Sequence, residues 1–245
     1  MNNPTSKYQL TIIVPVYNEI DNIEALEKRL GDYIKHASVT SCILFIDDGS
    51  DDGSATAIEK ICSTNDNMFF IALKHNTKLT GALKAGIEAT ASRLIGYIDA
   101  DLQTDPEDFE ILLPLTQNCE LAMGIRVNRK DSGFKKLQSK FANSFRRFMS
   151  KDTATDTGCP LKIMKTSYAR RLPLFNGMHR FLPALFLLMD GRVEERPVRH
   201  YPRIAGKSKY HLWNRLVGPF IDCFAYRWMK KRYLNPLPGR NNLFL

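Results

Sequence analysis

Asp99 and Asp101 flank a single alanine in the stretch YIDADLQTDP, at the end of an apolar run, and Gln103 and Asp105 continue the alternation. Carboxylates at this spacing can hold a metal ion, work as an acid–base pair, or open a turn before a helix. Counted from Asp99, positions 1, 3, 5, 9 and 12 of a calcium loop fall on Asp99, Asp101, Gln103, Glu107 and Glu110. The sixth position is Thr104 where that loop needs glycine, and a β-type run precedes it instead of a helix, which argues against an EF-hand. An Asp-x-Asp at a strand end better suits Mg²⁺ or Mn²⁺, which take one or two protein carboxylates and complete their shell with water and substrate phosphates. Aspartates two apart on an extended chain also point the same way.

Two other polar clusters close apolar runs in the same manner. PVYNE (15–19) ends LTIIVPV, and DDGSDDGS (47–54) follows CILFI. Phosphate loops of the usual kinds are missing: GALKAGI (81–87) has glycines at Walker spacing, but Ile87 stands where lysine is required, and no run ends in GxGxxG.

The elements that must position these residues alternate. LTIIVPV (10–16), CILFI (42–46), MFFIAL (68–73) and LIGYI (94–98) read as buried strands, and 19–36, 53–63 and 80–91 carry helical spacing. Strand–helix alternation gives an α/β fold with a mostly parallel sheet flanked by helices, and such sheets bind ligands at the carboxyl ends of their strands. PVYNE, DDGSDDGS and DADLQ all fall at such ends, so one edge of the sheet is expected to carry the site. Beyond about residue 125 the pattern changes. KKLQSKFANSFRRFM (135–149) and HLWNRLVGPFIDCFAYRWMKK (211–231) read as basic amphipathic helices, the second bent or split at Pro219. Residues 235–245 read as a loose tail.

Charge divides the chain. Residues 1–125 hold 9 Lys and Arg against 19 Asp and Glu, whereas residues 126–245 hold 26 against 7. The basic half is expected to meet phosphate or an anionic membrane surface. Nucleic acid is the poorer partner, because the aromatics there follow apolar helical stripes and form no stacking platform. The five cysteines are scattered and contain no CxxC, which favours a reducing compartment over a disulfide or zinc framework. The N-terminus has no signal-peptide core, and the best uncharged apolar run, FLPALFLLM (181–189), is half of the roughly 20 residues needed to span a bilayer. These features predict a cytoplasmic protein, soluble or surface-bound.

TIIVPVYNE, FIDDGSDDGS, DADLQTDP and RIAGKSKY, in this order and spacing, resemble the family 2 glycosyltransferases of GT-A (Rossmann-like) fold, and within them the dolichyl-phosphate mannose synthase group that acts on polyprenyl phosphates. The resemblance covers roughly residues 8 to 232. Its first three motifs are shared across the superfamily, while DADLQ and RxxGxSKY narrow it to the lipid-phosphate group. FNGMHRFLPAL, PVRHYPR and TDTGCPLK are similar to bacterial members. The resemblance implies a catalytic domain over 1–206, with a nucleotide-sugar half (8–125) and an acceptor half (126–206), then an amphipathic segment over 207–234. It implies that Pro15, Tyr17 and Glu19 frame the base and ribose, with Ile46 and Asp48 closing that pocket. Asp99, Ala100, Asp101 and Gln103 would meet the donor diphosphate, with Asp101 and Gln103, and Asp99 nearby, at a Mg²⁺ or Mn²⁺ ion. Arg126 would face the phosphates, and Arg203 and Lys209 would clamp them. Arg126, Lys140, Arg203 and Ser208 would receive the acceptor phosphate, and Asp156 matches a position assigned as base. The implied reaction inverts the sugar carbon as it passes from a UDP- or GDP-sugar to undecaprenyl or dolichyl phosphate, giving a lipid-linked sugar for cell-envelope glycan or lipid A modification. Many such relatives carry C-terminal membrane helices that this chain lacks, which leaves the basic helix as the membrane contact. The competing reading is a soluble family 2 enzyme acting on a glycan hydroxyl, which needs a carboxylate base and not the RIAGKSKY cluster.

Overall fold

The computed structural model describes residues 3–127, 144–202 and 212–235. Lys140, Arg203, Ser208 and Lys209 lie outside these, as does most of the helix expected over 135–149. In chain order the elements are β1 (Leu10–Val16), α1 (Ile20–His36), β2 (Ser41–Asp47), α2 (Ser54–Thr64), β3 (Met68–Ala72), α3 (Lys78–Ala89) and β4 (Leu94–Tyr97). There follow α4 (Phe109–Leu112), β5 (Leu121–Arg126), α5 (144–150), β6 (Lys162–Lys165), α6 (Thr166–Ala169), α7 (Leu182–Leu188), β7 (Val193–Val198) and α8 (Leu212–Lys230). The four expected strands and three expected helices are present to within two residues.

The strands form one sheet in the order β3-β2-β1-β4-β6-β5-β7. All pairs are parallel except the two made by β6, which runs against β4 and β5. β2, β1 and β4 are therefore adjacent and parallel, and their carboxyl ends open on one edge as the alternation requires. β5, β6 and β7 extend the same sheet, so no break in it marks residue 125.

Alternation along β1 and β2 builds a core on each face. Leu10, Ile12, Val14, Ile43 and Phe45 pack under Ile23, Leu26 and Leu30 of α1. Ile13, Leu44 and Ile46 pack under Ala82, Leu83 and Ile87 of α3, continuous with Phe181, Leu185 and the inner side of α8.

α8 runs through Pro219 without a break, so the expected split is absent. Its described side chains form two apolar faces. Cys223, Tyr226 and Met229 are buried, with Tyr226 stacked on Phe181 at 5.2 Å. Phe220, Ile221, Phe224 and Trp228 are exposed, and Phe148 at the end of α5 is 73% exposed. No helix among the described residues is long and apolar enough to cross a membrane.

Candidate active site

The loops after β1 and β2 are laced together. The Asn18 N–H donates to Ser50 Oγ (2.9 Å), Asn18 and Asp51 exchange side-chain and backbone bonds (2.6 and 2.9 Å), and the Glu19 N–H donates to Ser54 Oγ (3.0 Å). Asp52 accepts from Ser54 and from the Ile20 N–H; these bonds hold its carboxyl below the usual range although burial opposes them. Gly49 has φ +73°, and a Cβ there would meet the backbone of His75 at 2.8 Å, so this turn requires glycine.

Within this frame Pro15 is half-buried opposite Ile46, and Ile46 is fully buried in the core. Tyr17 is exposed at the loop mouth, and Glu19 accepts from Asn22 Nδ2 (2.6 Å). Asp48 is buried, and its Oδ1 accepts from both the N–H and the hydroxyl of Thr77 at 2.7 Å, tying the start of α3 to β2. Asp47 accepts from the Ser50 N–H through Oδ2, while its buried Oδ1 has no hydrogen-bond partner among the described residues.

β4 ends at Tyr97, so Asp99 lies just beyond the strand and Asp101 in the turn that begins at Ala100, and the two are not on one strand as their spacing suggested. The turn is left-handed at Leu102, φ +57°, and the Gln103 N–H donates to Asp101 Oδ1 (3.2 Å). Asp105 Oδ1 then accepts from the Glu107 N–H (3.2 Å) and caps the short 3-10 turn Pro106–Asp108, so the stretch is both a carboxylate site and a helix start. Tyr97 Oη donates to Asp99 Oδ1 (2.6 Å). Burial, and then the charge of Asp101, push the Asp99 carboxyl up to about 6, against the pull of Tyr97, Lys162 and Arg126. A carboxyl whose proton affinity is raised by burial and by a neighbouring carboxylate is a receptive place for a cation.

The groups expected at an ion, the carboxylates of Asp99 and Asp101 and the amide of Gln103, would offer hard oxygen donors. No cluster of three His, Cys, Asp or Glu occurs among the described residues. Hard oxygen donors suit an ion of Mg²⁺ or Mn²⁺ type, which keeps positions for phosphate and water.

Arg126 at the end of β5 is held by Asp156. Its Nε and Nη2 donate to the two carboxylate oxygens at 2.7 and 2.8 Å, and its backbone N–H donates to Oδ2 at 3.2 Å. The two residues proposed for separate tasks are thus one bidentate pair. Glu195 of β7 accepts from the Thr155 and Asp156 N–H groups, fixing the loop that carries Asp156. A Cβ at Gly158 would lie 2.9 Å from Arg126 Nη2, so the glycine of TDTG lets the guanidinium rest against its own loop.

Several residues here escaped the sequence reading. Lys162 is buried and donates to the carbonyls of Thr157 and Cys159, with its ammonium 5.6 Å from the Tyr97 ring. Burial lowers its proton affinity, and the nearby acidic groups resist that. Arg199, His200 and Tyr201 lie beside the DADLQTDP turn, where Tyr201 N–H donates to the Gln103 carbonyl (2.8 Å). The blocks TDTGCPLK and PVRHYPR contained these residues, but nothing in their spacing separates a buried lysine or a strap from surface cations.

A model of glycosyl transferase family 2 matches residues 11–173. The chain belongs to that family. It is a glycosyltransferase of GT-A fold. Its sequence is 32% identical over 241 residues to a dodecaprenyl-phosphate galacturonate synthase from Rhizobium johnstonii, covering 96% of this chain and 71% of that protein. It is also 32% identical over 222 residues to an undecaprenyl-phosphate 4-deoxy-4-formamido-L-arabinose transferase from Salmonella choleraesuis, covering 87% of this chain and 66% of the relative. Among solved structures, the Pyrobaculum calidifontis mannosyltransferase in complex with GDP-Man and Mn²⁺ aligns with a TM-score of 0.62 at 20% identity, over 97% of this chain and 68% of that one. A glucosyl-3-phosphoglycerate synthase from Mycobacterium tuberculosis, in complex with Mn²⁺, UDP-glucose and phosphoglyceric acid, aligns with a TM-score of 0.65 at 12% identity, over 98% and 86% of the two chains. At these identities the two structures speak for the fold alone.

Proposed function

We propose that this glycosyltransferase moves a sugar from a UDP- or GDP-sugar to a polyprenyl phosphate, with inversion and with the help of a divalent metal ion. The observation that carries the reading is the carboxylate pair Asp99 and Asp101 beside two laced nucleotide-side loops, with Arg126 held at the end of β5. The sequence relatives named for dodecaprenyl- and undecaprenyl-phosphate products support the acceptor class.

Asp101 and Gln103 would hold the ion, with Asp99 beside them, and the ion would offset negative charge on the departing nucleotide diphosphate. Pro15, Tyr17 and Glu19 would frame the base and ribose, with Ile46 near the end of β2 and Asp48 just after it, both buried, backing that pocket. A phosphate monoester has a second pKa of about 6, so the acceptor is largely dianionic near neutrality and is already a nucleophile. Its attack from the face opposite the leaving group inverts the sugar carbon. A strong general base is then dispensable, and orientation dominates. That assigns Arg126 to the phosphates and Asp156 to holding Arg126. Lys140, Arg203 and Lys209, with the Ser208 hydroxyl, keep their proposed part in phosphate binding, outside the described residues.

The exposed face of α8, with Phe148, supports peripheral contact with an anionic bilayer at the cytoplasmic side of the inner membrane. Phe220, Ile221, Phe224 and Trp228 are apolar side chains facing outward, and Arg147, Lys151, Arg227, Lys231 and Arg232 are exposed on the same helices and just beyond them. The test is a panel of UDP- and GDP-sugars with undecaprenyl phosphate and Mn²⁺ or Mg²⁺. A lipid-linked sugar is the expected product. Transfer only to a glycan hydroxyl would favour the soluble family 2 alternative.

A further inference from the structure

We propose that Arg29 and the strap Arg199–Tyr201 are positioning residues for Gln103, turning its amide oxygen toward the cation site. The proposal rests on the reading of Gln103 as a metal ligand.

The DADLQ turn is costly to hold. Leu102 takes a left-handed conformation, φ +57°, which disfavours a branched side chain, and it is buried at 2% exposure. Such a turn persists where its surroundings over-determine it. Arg29 Nη1 donates to the Leu102 carbonyl at 3.4 Å. The next carbonyl, of Gln103, accepts twice: from the Tyr201 N–H at 2.8 Å and from His200 Nδ1 at 3.1 Å. His200 must therefore carry its hydrogen on Nδ1.

The side chain of Gln103 is held by the same strap. Its Nε2 lies 3.4 Å from the Tyr201 carbonyl. A carbonyl can only accept, so the nitrogen is the atom that faces Tyr201 and Oε1 faces away from it. An amide whose two ends are otherwise interchangeable is thereby presented oxygen-outward, the end that a hard cation needs.

The strap is in turn fixed to the loop it orients. Arg199 binds Asp108 through its backbone N–H (2.6 Å) and Nε (2.8 Å), and its Nη1 lies 3.3 Å from Asp105. Tyr201 Oη donates to Asp105 at 3.4 Å. Arg29 closes the ring, 3.8 Å from Asp105 and 5.8 Å from the Tyr201 ring centre. Asp105 thus caps the turn after DADLQT and anchors the strap above it. Neither arginine needs to touch a ligand to act on one.

The test is Mn²⁺ affinity, read from the free-ion paramagnetic resonance signal with UDP or GDP present. The proteins are the parent chain, Gln103→Ala, Arg29→Met, Arg199→Gln and each arginine variant combined with Gln103→Ala. Outer residues that orient metal ligands typically change affinity about 10- to 100-fold. We expect about tenfold weaker Mn²⁺ binding in Arg29→Met and Arg199→Gln, and no further loss when either is added to Gln103→Ala. Losses that multiply in the double variants, or unchanged affinity in Arg29→Met while Gln103→Ala binds weakly, overturn the positioning role. If Gln103→Ala itself binds Mn²⁺ like the parent, the ligand reading falls and this inference with it. Arg199→Gln leaves Asp108 with fewer partners and is at risk of misfolding. Arg29 sits at the surface side of the ring with 33% side-chain exposure, so Arg29→Met decides the matter alone if needed.

Discussion

Removing Asp156 tests whether it serves the reaction through Arg126. The pair is largely buried, at 15% and 11% side-chain exposure, and is joined by two side-chain bonds and one backbone bond. Deleting one member of such a pair leaves an uncompensated charge and costs about 3 kcal/mol. In a domain of this size roughly 2–4 °C of Tm accompanies each kcal/mol, so Asp156→Ala should melt about 6–12 °C below the parent. Arg126→Met should fall by a similar amount. The double variant strands neither charge, so its Tm should resemble that of a single variant and not the sum, a coupling of about 3 kcal/mol. Activity should follow the same logic. Arg126→Met should lose about 10²–10³ in kcat, the usual scale for one preorganised charge-stabilising donor, and adding Asp156→Ala should cost little more. Thermal unfolding and steady-state rates on the four proteins complete the cycle. Additive Tm losses would refute the pairing. A multiplicative further loss of kcat, with a change in the acidic limb of the pH profile, would show Asp156 taking a proton itself.

Acid should destabilise the fold in two stages. Thr80 Oγ accepts from the Gly177 N–H and meets His179 Nδ1 at 2.7 Å, and burial, then Arg180 and Lys162, push this ring down to about 3. A folded value below the unfolded value of about 6.5 makes its contribution complete above 6.5 and lost as pH falls toward 3, about 1 kcal/mol by pH 5 after allowance for partial exposure. Glu120 is held at about 2, where the Arg192 N–H, Lys165 and the Arg192 side chain outweigh burial, so its contribution fades between about 4.3 and 2. Denaturant midpoints against pH should show the first stage vanish in His179→Gln; persistence of that stage would reassign it. Gly158→Ala should press on the Arg126 guanidinium and loosen its bond to Asp156, lowering kcat at a stability cost below the roughly 3 kcal/mol of deleting the pair, and parent-like kcat would detach that glycine from the site. Phe224→Asp and Trp228→Asp should fold normally and each weaken sedimentation with anionic liposomes about tenfold or more, since an inserted side chain of this size is worth about 1.5–3 kcal/mol. Unchanged sedimentation would remove α8 from the membrane contact.

The sheet and the site were legible to different depths. β1 to β4 are apolar runs of four to seven residues separated by helical spacing; β1, β2 and β4 are buried or nearly so on both faces, and β3 was readable as an apolar run although Phe70 and Ala72 are exposed. β7 (VEERPV) is an edge strand with one fully buried residue, and Pro197 is tolerated there because an edge has N–H groups to spare. It carries no alternation to read. β6 has four residues and gains its place only by pairing with β4 and β5 from distant sequence. The carboxylates of DADLQ announced themselves by position after a strand, yet the left-handed turn at Leu102 that brings the Gln103 N–H back to Asp101 is one that no propensity favours. Arg126 and Asp156 were each visible as candidates, but a bidentate bond between residues 30 apart is a tertiary fact. For α8 the apolar pattern predicted an amphipathic helix; among its described side chains Cys223, Tyr226 and Met229 make the core face, while Phe220, Ile221, Phe224 and Trp228 face outward.

The most direct test of the central claim is transfer from a labelled nucleotide-sugar to undecaprenyl phosphate by purified protein, with Mn²⁺ or Mg²⁺ or with chelator, for the parent and Asp101→Ala. The account predicts a lipid-extractable sugar phosphate that requires the metal and is lost in Asp101→Ala, which should remain folded. Metal-independent transfer, or an Asp101→Ala enzyme as active as the parent, would contradict it.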